Sequence, residues 1–272
     1  MQDLAEQLRA LHRTPPIFVL PNAWDAASAR LFVAEGFPAV ATTSAGVAAS
    51  LGYPDGGAVP AREMFEAVAR IARSVKVPVT ADIEHAYAAT PDAVADNVLR
   101  VIAAGAVGIN LEDYVPGASD LEPLVLQVDK IKAIVKAANK AGVRIVINAR
   151  TDVFLRSLGP PEARLGTAIE RGKAFLTAGA DCVFVPGVRD PETISALVTG
   201  IGGPINILAV AGSPSISELE ALGVARVSVG SGPMRATLAL VRDVARELKE
   251  HGTYSAFTSK SMPFDDVNEL MK

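Results

Sequence analysis

The sequence predicts an α/β fold of the (β/α)8 barrel class. Eight short apolar runs alternate with eight longer amphipathic runs along the 272 residues, and this alternation is typical of a parallel sheet covered by helices. Barrels of this class commonly form one domain of about 250 residues. The alternative fold is an open doubly wound sheet. No Gly-x-Gly-x-x-Gly fingerprint follows the first strand, which disfavours the dinucleotide-binding form of that fold. We therefore expect one (β/α)8 (TIM) barrel domain over 1–272, with 233–272 as a C-terminal helical extension.

The elements follow in chain order, with polar and glycine residues marking their ends. Thr90-Pro91 and Asp190-Pro191 predict N-caps followed by proline in the first helical turn. The predicted strands are Ile17–Pro21, Ala39–Thr43, Val77–Asp82, Gly108–Glu112, Arg144–Ala149, Cys182–Val185, Ile205–Ala209 and Arg226–Val229. The predicted helices are Ala26–Ala34, Ala61–Val75, Pro91–Ala104, Leu124–Ala141, Pro161–Ala178, Pro191–Val198, Ile216–Ala221 and Pro233–His251. Glycines at helix C-termini are Gly36, Gly105, Gly142, Gly179 and Gly223.

Composition narrows the class of partner. The net charge is -4 and the pI is near 5.5, which argues against nucleic acid or an acidic membrane surface. The single cysteine, Cys182, excludes an internal disulfide and fits a reducing compartment. Residues 1–13 have an amphipathic pattern rather than that of a signal peptide, and no apolar run is long enough for a membrane span. The expected location is cytoplasmic.

Carboxylates follow two neighbouring apolar strands and predict a shared site. Asp82 and Glu84 end the third strand and share one side of it, because side chains alternate along a strand, while Glu112 ends the fourth. Oxygen donors without accompanying Cys or His favour Mg²⁺ or Mn²⁺ over zinc. We expect Asp82 to bind the ion directly and Glu84 and Glu112 to hold its waters. The competing interpretation is that each acid is an ordinary helix cap or loop residue.

Arg150, at the end of the fifth strand, can bind a substrate carboxylate through two parallel hydrogen bonds. A Mg²⁺ ion beside an arginine suits a 2-oxo acid, because both can stabilise the enolate formed when a bond to C3 breaks. Strands six to eight end in small or apolar residues, so the other side of the site is expected to be a close-fitting apolar wall.

Several strand ends together resemble those of the isocitrate lyase/phosphoenolpyruvate mutase superfamily. The resemblance covers Leu20 to about Gly230 and implies a barrel whose last helix is swapped between subunits, a dimer of dimers, bound Mg²⁺, and cleavage or formation of C–C or P–C bonds. The segments that carry it are Pro21-Asn22-Ala23-Trp24-Asp25, Thr43-Ser44-Ala45-Gly46, Ser50-Leu51-Gly52-Tyr53-Pro54-Asp55, Ala81-Asp82-Ile83-Glu84, Asn110-Leu111-Glu112-Asp113 and Asn148-Ala149-Arg150-Thr151-Asp152.

The resemblance also implies roles for individual residues. Asp82 corresponds to the direct metal ligand, and Glu84 and Glu112 to outer acids. Asp55 corresponds to a carboxylate that lies on a small helix after strand two and faces the metal site. The pocket for the substrate carboxylate and keto oxygen corresponds to the amides of Ala45 and Gly46 beside Ser44, with Arg150 as the substrate-binding arginine. The predicted catalytic residues are Arg150, Asp55 and Glu112; the predicted substrate-binding residues are Ser44, Ala45, Gly46, Asp82 and Arg150.

Departures from the family pattern bear on the reaction. The loop after strand four, residues 114–120, lacks the Lys-Lys/Arg-Cys-Gly-His segment of the isocitrate and methylisocitrate lyases and the Lys of the mutase. Pro186 and Leu208 stand near the positions of a lyase glutamate and asparagine, so little remains to hold a second carboxylate.

We expect a Mg²⁺-dependent lyase or decarboxylase acting on a small 2-oxo or 2-hydroxy (di)carboxylic acid. The alternatives are a P–C bond enzyme acting on phosphonopyruvate or phosphoenolpyruvate, and a catalytically weak 2-oxo-acid-binding protein. Participation of His85 or Tyr87 is left open.

Overall fold

Parallel strands form one sheet that closes on itself in the computed structural model, which describes residues 1–13 and 15–272. The strand order β1-β9-β8-β7-β6-β5-β4-β3-β2 places the first two strands at opposite ends of the sheet. The strands are β1 Phe18–Leu20, β2 Asn22–Ala23, β3 Val40–Thr42, β4 Val79–Asp82, β5 Gly108–Glu112, β6 Val146–Arg150, β7 Cys182–Phe184, β8 Ile205–Leu208 and β9 Arg226–Ser228. Since Pro21 alone separates β1 from β2, these two short strands share one position in the barrel. The nine strands therefore occupy eight positions, here called staves, and the predicted fold class is confirmed.

Helices follow the strands and cover the barrel. The helices are α1 Gln2–Leu11, α2 Ala26–Ala34, α3 Ser44–Leu51, α4 Ala61–Ser74, α5 Pro91–Ala103, α6 Leu124–Lys140, α7 Pro161–Ala178, α8 Pro191–Ile201, α9 Ile216–Ala221, α10 Gly232–Glu250, α11 Ser255–Thr258 and α12 Phe264–Leu270. Thr90 and Asp190 cap α5 and α8 through their side chains, as predicted. All five predicted helix-end glycines have positive φ.

Proline breaks the first stave where the barrel closes. Pro21 has no N–H for the ladder, so β1 pairs with β9 and β2 pairs with β3. Asn22 spans the junction, because its Oδ1 accepts hydrogen bonds from the amides of Val229 and Gly230 at 2.9 and 2.8 Å. The predicted strand Ile17–Pro21 therefore corresponds to β1, and β2, which begins directly after Pro21, was not predicted.

The predicted fifth strand was placed two residues too early at its start and one at its end. Arg9, on α1, donates from Nη2 to the carbonyl oxygens of Arg144 and Ile145 at 2.8 and 3.3 Å. These two carbonyls thus bond to a distant side chain rather than to a neighbouring strand. Strand β6 begins at Val146 and ends at Arg150, which places Arg150 inside the sheet.

Helix α3 is absent from the predicted helices, because its sequence Ser-Ala-Gly-Val-Ala-Ala-Ser-Leu has no apolar stripe of helical period. The small helix that the resemblance implies after strand two is present, but it ends at Leu51 and does not include Asp55. It begins directly after β3 and carries part of the site described below. Helix α1, predicted from the amphipathic pattern of 1–13, buries Ala5 and Leu8 with Phe18, Leu20 and other apolar residues of the barrel.

The chain continues past the last strand as α10, α11 and α12. Met234 is the buried residue of the 19-residue helix α10, whereas Leu238, Val241 and Leu248 are 53, 62 and 50% exposed. Helix α12 lies beside α2, where Arg30 Nη1 donates to the Leu270 carbonyl at 3.0 Å. Among the described residues, none of the helices combines the length and apolar character needed to cross a bilayer.

Candidate active site

A cavity of about 180 Å³ opens at the carboxyl ends of the strands, the end where side chains from several staves converge. Five of the predicted site residues line it: Ser44, Ala45, Asp55, Asp82 and Arg150. The remaining lining residues are Asn22, Thr43, Asn110, Leu155, Phe184, Pro186, Leu208, Ser228, Gly230 and Ser231. Gly46, Glu84 and Glu112 are buried beside the cavity. Residues far apart in the sequence therefore form one polar pocket with an apolar side.

Asp82 is the last residue of β4, and α3 fixes the orientation of its carboxylate. Its Oδ2 accepts hydrogen bonds from the Ser44 amide and the Ser44 hydroxyl, both at 2.9 Å. Its own amide donates to Thr42 Oγ1 at 2.8 Å. Its Oδ1 is buried and has no hydrogen-bond partner among the described residues. Because a buried oxygen without a partner is costly, Oδ1 is an acceptor available for a ligand or a cation.

Arg150 lies between two carboxylates. The register of β5 and β6 pairs it with Glu112, and its Nη1 lies 2.5 Å from Glu112 Oε1. Its Nε and Nη2 donate to the two oxygens of Asp152 at 2.6 and 3.0 Å. Burial opposes the charge on Arg150, but Glu112 and Asp152 outweigh it and raise the pKa of the guanidinium. Arg150 is therefore a fixed, permanently charged group at the edge of the cavity.

Glu112 is buried beside Arg150. Burial raises its pKa, against the opposing attraction of Arg150, and the charges of Asp152, Asp82 and Glu84 raise it further. Burial and the charge of Asp82 also raise the pKa of Asp55. The acids around the cavity thus repel one another, which favours binding of a cation or a proton among them.

Glu84 lies in a strained turn directly after β4. Glu84, Ala86 and Tyr87 have φ of 54, 61 and 55°, a region that costs about 1–2 kcal/mol for each residue with a side chain. Asn97 Nδ2 holds the turn by donating to the Ala86 carbonyl at 2.9 Å. Tyr87 donates its hydroxyl to Glu84 Oε1 at 3.1 Å. Burial, followed by the charge of Asp82, raises the pKa of Glu84 to about 7.

The loop after β5 is anchored at its base by buried ion pairs. Asp113 Oδ2 accepts from Arg171 Nε at 2.6 Å, and the Asp113 carbonyl accepts from the Glu122 amide at 2.8 Å. Glu122 in turn pairs with Lys130, whose side chain is fully buried. A Cβ added at Gly57 would lie 3.7 Å from Pro116 Cγ and 3.6 Å from Glu84 Oε2. The loop carrying Asp55–Gly57 and the loop over residues 114–121 therefore meet above Glu84.

The first turn of α3 brings backbone amides to the cavity. Ala45 lines it and Gly46 follows, and amides in the first turn of a helix have no partner inside the helix. A Cβ at Gly46 would lie 2.5 Å from Thr43 Cγ2 and 2.8 Å from Trp24 Cβ. Glycine at this position allows α3 to pack against the end of β2, which places its N-terminus at the site.

Some groups around the site were not predicted. Asp152 was expected near the end of the fifth strand but was given no role, and Arg171 on α7 was not considered. The signal for both is a charged residue at a position that the strand or helix pattern places inside the protein. His85 lies near this region with Nδ1 buried and unpartnered among the described residues, and burial lowers its pKa, as does the charge of Lys130.

The residues present fit a hard divalent cation bound through one direct protein ligand. The described residues include no group of three or more His, Cys, Asp or Glu side chains arranged to hold one ion together. Asp82 Oδ1 is a buried acceptor without a partner, and Glu84 and Asp55 are close enough to Asp82 for its charge to raise the pKa of each. Mg²⁺ suits such a site, because it commonly uses one or two carboxylates and keeps several waters.

Comparisons with known proteins show a likeness in sequence over most of the chain. A family model described as phosphoenolpyruvate phosphomutase matches residues 8–249. An uncharacterized protein of Mycobacterium tuberculosis is 40% identical over 241 residues, which is 88% of each chain. The oxaloacetate decarboxylase of Chromohalobacter salexigens is 30% identical over 263 residues, covering 91% of this chain and 86% of the relative.

Solved structures extend the likeness to almost the whole chain. A Burkholderia cenocepacia protein, provisionally assigned as a lyase/mutase, has a TM-score of 0.91 at 36% identity and covers 98% of this chain and 95% of its own. Phosphonopyruvate hydrolase in complex with oxalate and Mg²⁺ has a TM-score of 0.86 at 25% identity, with 98 and 94% of the two chains covered.

Proposed function

The chain belongs to the phosphoenolpyruvate phosphomutase family of the isocitrate lyase/phosphoenolpyruvate mutase superfamily, and from this we propose that it is a Mg²⁺-dependent carbon–carbon lyase or decarboxylase. Its substrate is a small 2-oxo or 2-hydroxy acid. Relatives named 2-methylisocitrate lyase, 2,3-dimethylmalate lyase and oxaloacetate decarboxylase support this class of chemistry.

The observation that carries the proposal is the difference between the two carboxylate oxygens of Asp82. Ser44 holds one oxygen by two hydrogen bonds, and the other oxygen is buried without a partner among the described residues. A carboxylate used only for structure would have partners on both oxygens. Asp82 would hold the ion directly, with Glu84 and Glu112 as outer acids. When bound, Mg²⁺ supplies stabilisation of the negative charge that develops as a bond to C3 breaks.

The chain's own groups bind and orient the acid. Three N–H groups of Arg150 bind Glu112 and Asp152, so two of its five stay available for a substrate carboxylate, one on each terminal nitrogen. The amides of Ala45 and Gly46 supply the donors of a helix N-terminus for the carboxylate and keto oxygens. Asp55, whose pKa is raised, lines the same cavity as Arg150 and is the candidate for moving a proton.

Assembly follows from the exposed C-terminal helix. We propose that the protein is a homo-oligomer in which α10 contacts a second copy, because its apolar residues Leu238, Val241 and Leu248 are at least half exposed. The resemblance implies a dimer of dimers with this helix exchanged. The cytoplasmic location stays a prediction.

Phosphonopyruvate chemistry is the second candidate. Phosphoenolpyruvate phosphomutase and phosphonopyruvate hydrolase are among the similar solved structures. Phosphonopyruvate and the 2-oxo acid substrate of a carbon–carbon lyase share the 2-oxo acid group that this pocket would bind. The loop over residues 114–120 has no Lys after Asp113, which favours the carbon–carbon reaction.

The test is turnover of a panel of acids followed by proton and phosphorus NMR. The purified protein, supplied with Mg²⁺, is incubated with 2-oxo acids, 2-hydroxy acids and phosphonopyruvate. The proposal expects cleavage of at least one carbon substrate, with loss of the reaction in EDTA and in Asp82→Asn. Turnover of phosphonopyruvate alone would establish the second candidate. Metal-dependent binding of oxalate without any product would establish the oxoacid-binding protein instead.

A further inference from the structure

One side of the cavity is apolar. Leu155, Phe184, Pro186 and Leu208 line it, and they come from the ends of β7 and β8 and from the segment after β6. In the strand order, β8 lies four staves from β4 in either direction, which places Leu208 across the barrel from Asp82. The polar groups that bind a 2-oxo acid and the apolar wall therefore occupy opposite sides of the same pocket.

The wall is fixed by close packing. A Cβ at Gly187 would lie 2.9 Å from the backbone nitrogen and Cα of Leu155, so these two segments touch through their main chains. Leu208 Cδ1 would be 3.1 Å from a Cβ at Gly230, which has a φ of +53°. Both contacts lie beside glycines, so these segments of the wall pack closely, while Leu155 is 41% exposed to solvent.

Phe184 is part of the same wall and also supports Arg150. Phe184 is 5% exposed, and the Arg150 guanidinium carbon lies 5.7 Å from the centroid of its ring. A cation over an aromatic face is favourable, so the ring is held in place from the polar side. The wall begins directly beside the group that binds the substrate carboxylate.

The cavity has little positive charge for a second carboxylate. Among the described lining residues, Arg150 is the one cation, and it already binds Glu112 and Asp152. Arg156 lies nearby, but its guanidinium carbon is 4.8 Å above the Tyr114 ring and its Nε is 3.7 Å from Asp152. A second substrate carboxylate would lose its water against Leu208 and Phe184 without gaining a cationic partner.

We infer that Phe184 and Leu208 determine specificity, and that they select a 2-oxo acid with one carboxylate and an uncharged substituent at C3. This inference rests on the proposed function and narrows it. It favours a lyase that releases an uncharged fragment over the decarboxylation of a 2-oxo diacid.

The test is isothermal titration calorimetry in Mg²⁺ with three ligands. Oxalate reports whether the site binds the 2-oxo acid core at all. The acids 2-oxopentanoate and 2-oxoglutarate have the same five-carbon chain and differ in a terminal methyl or carboxylate. We expect 2-oxopentanoate to bind at least 10-fold more tightly than 2-oxoglutarate.

A substitution tests whether the apolar wall at Leu208 determines the preference between the two acids. Leu208→Lys places a cation there and is expected to reverse the preference, so that 2-oxoglutarate binds more tightly. Ile216→Lys adds the same charge at an exposed position that does not line the cavity and should keep the original preference. The ratio of the two affinities within each protein cancels any general effect of the substitution on binding.

The outcomes distinguish a failure of the inferred specificity from a failure of the proposed function. Equal or tighter binding of 2-oxoglutarate by the unaltered protein, with oxalate bound, would overturn the inference and leave the proposed function standing. An unchanged preference in Leu208→Lys would also overturn it. Failure of all three ligands to bind in Mg²⁺ would remove the inference together with the proposed function.

Discussion

Ser44 binds a single oxygen of the Asp82 carboxylate twice, from its amide and from its hydroxyl, at 2.9 Å each. One residue at the start of α3 thereby sets the direction in which the free oxygen of Asp82 points. The two residues are 38 positions apart in the sequence and meet because β3 and β4 are neighbours in the sheet.

Removal of the Ser44 hydroxyl is expected to weaken metal binding. Ser44→Ala keeps the amide contact but frees the carboxylate to rotate, and loss of a supporting contact of this kind typically reduces metal affinity about 10-fold or more. The measurement is Mn²⁺ affinity by electron paramagnetic resonance. Ser50→Ala, in the same helix, removes only a hydrogen bond to the Val47 carbonyl and should bind Mn²⁺ like the unaltered protein. Equal affinities in the two variants would contradict the role given to Ser44.

Acid is expected to destabilise the fold through His12, which is buried at the end of α1. Burial is the main cause that lowers its pKa from 6.5 to about 3, and Arg226, Arg9 and Arg13 lower it further, while a bond to the Leu8 carbonyl opposes them. A lowered pKa means that the folded state binds fewer protons than the unfolded chain. The stabilisation is therefore complete above pH 6.5 and is lost as the pH falls towards 3.

The measurement is the free energy of unfolding by urea at pH 7 and pH 5. His12 alone should account for a loss of about 2 kcal/mol between these two values, at about 1.4 kcal/mol for each pH unit below 6.5. His12→Gln removes the titration, so its loss over the same interval should be smaller by that amount. Parallel curves for the two proteins would show that His12 is accessible to protons in the folded state.

Two glycine substitutions should have opposite effects on stability. Gly46→Ala places a Cβ 2.5 Å from Thr43 Cγ2, and overpacking of this kind costs about 1–3 kcal/mol. Gly166→Ala, inside α7, has open space around the added Cβ and should stabilise by about 0.5–1 kcal/mol. Urea unfolding of both variants checks the pair, and a Gly46→Ala protein as stable as the original would show that α3 is loosely packed.

The exposed side of α10 should hold a second copy of the chain. Sedimentation velocity is expected to give a particle larger than the 28.3 kDa chain. Val241→Glu, which places a charge on the apolar side, should shift the particle towards the monomer. Arg242→Glu changes an exposed residue beside it and should leave the assembly intact. A monomeric unaltered protein would refute the proposed oligomer.

The sequence predicted the barrel because its signals are local. Strand runs, helix caps at Thr90 and Asp190, and glycines such as Gly179 each depend on a few neighbouring residues. The start of β6 depends instead on Arg9, which is 135 residues away from the carbonyl that it binds. No local pattern carries that information.

The site was predicted in outline for the same reason. Strand ends identified Asp82 and Arg150, because the side-chain period and the barrel geometry bring such positions together. The pairing of Arg150 with Glu112 depends on the register between β5 and β6, which the sequence does not specify. The strained turn at Ala86 contains no glycine, so the sequence gives no sign of its positive φ angles.

The most direct test is a crystal grown with Mn²⁺ and oxalate and measured at a wavelength where manganese scatters anomalously. The account predicts an anomalous peak at the free oxygen of Asp82, with oxalate between that ion and the Arg150 guanidinium. A fully occupied ion bound elsewhere, or oxalate held without contact to Asp82 or Arg150, would contradict it.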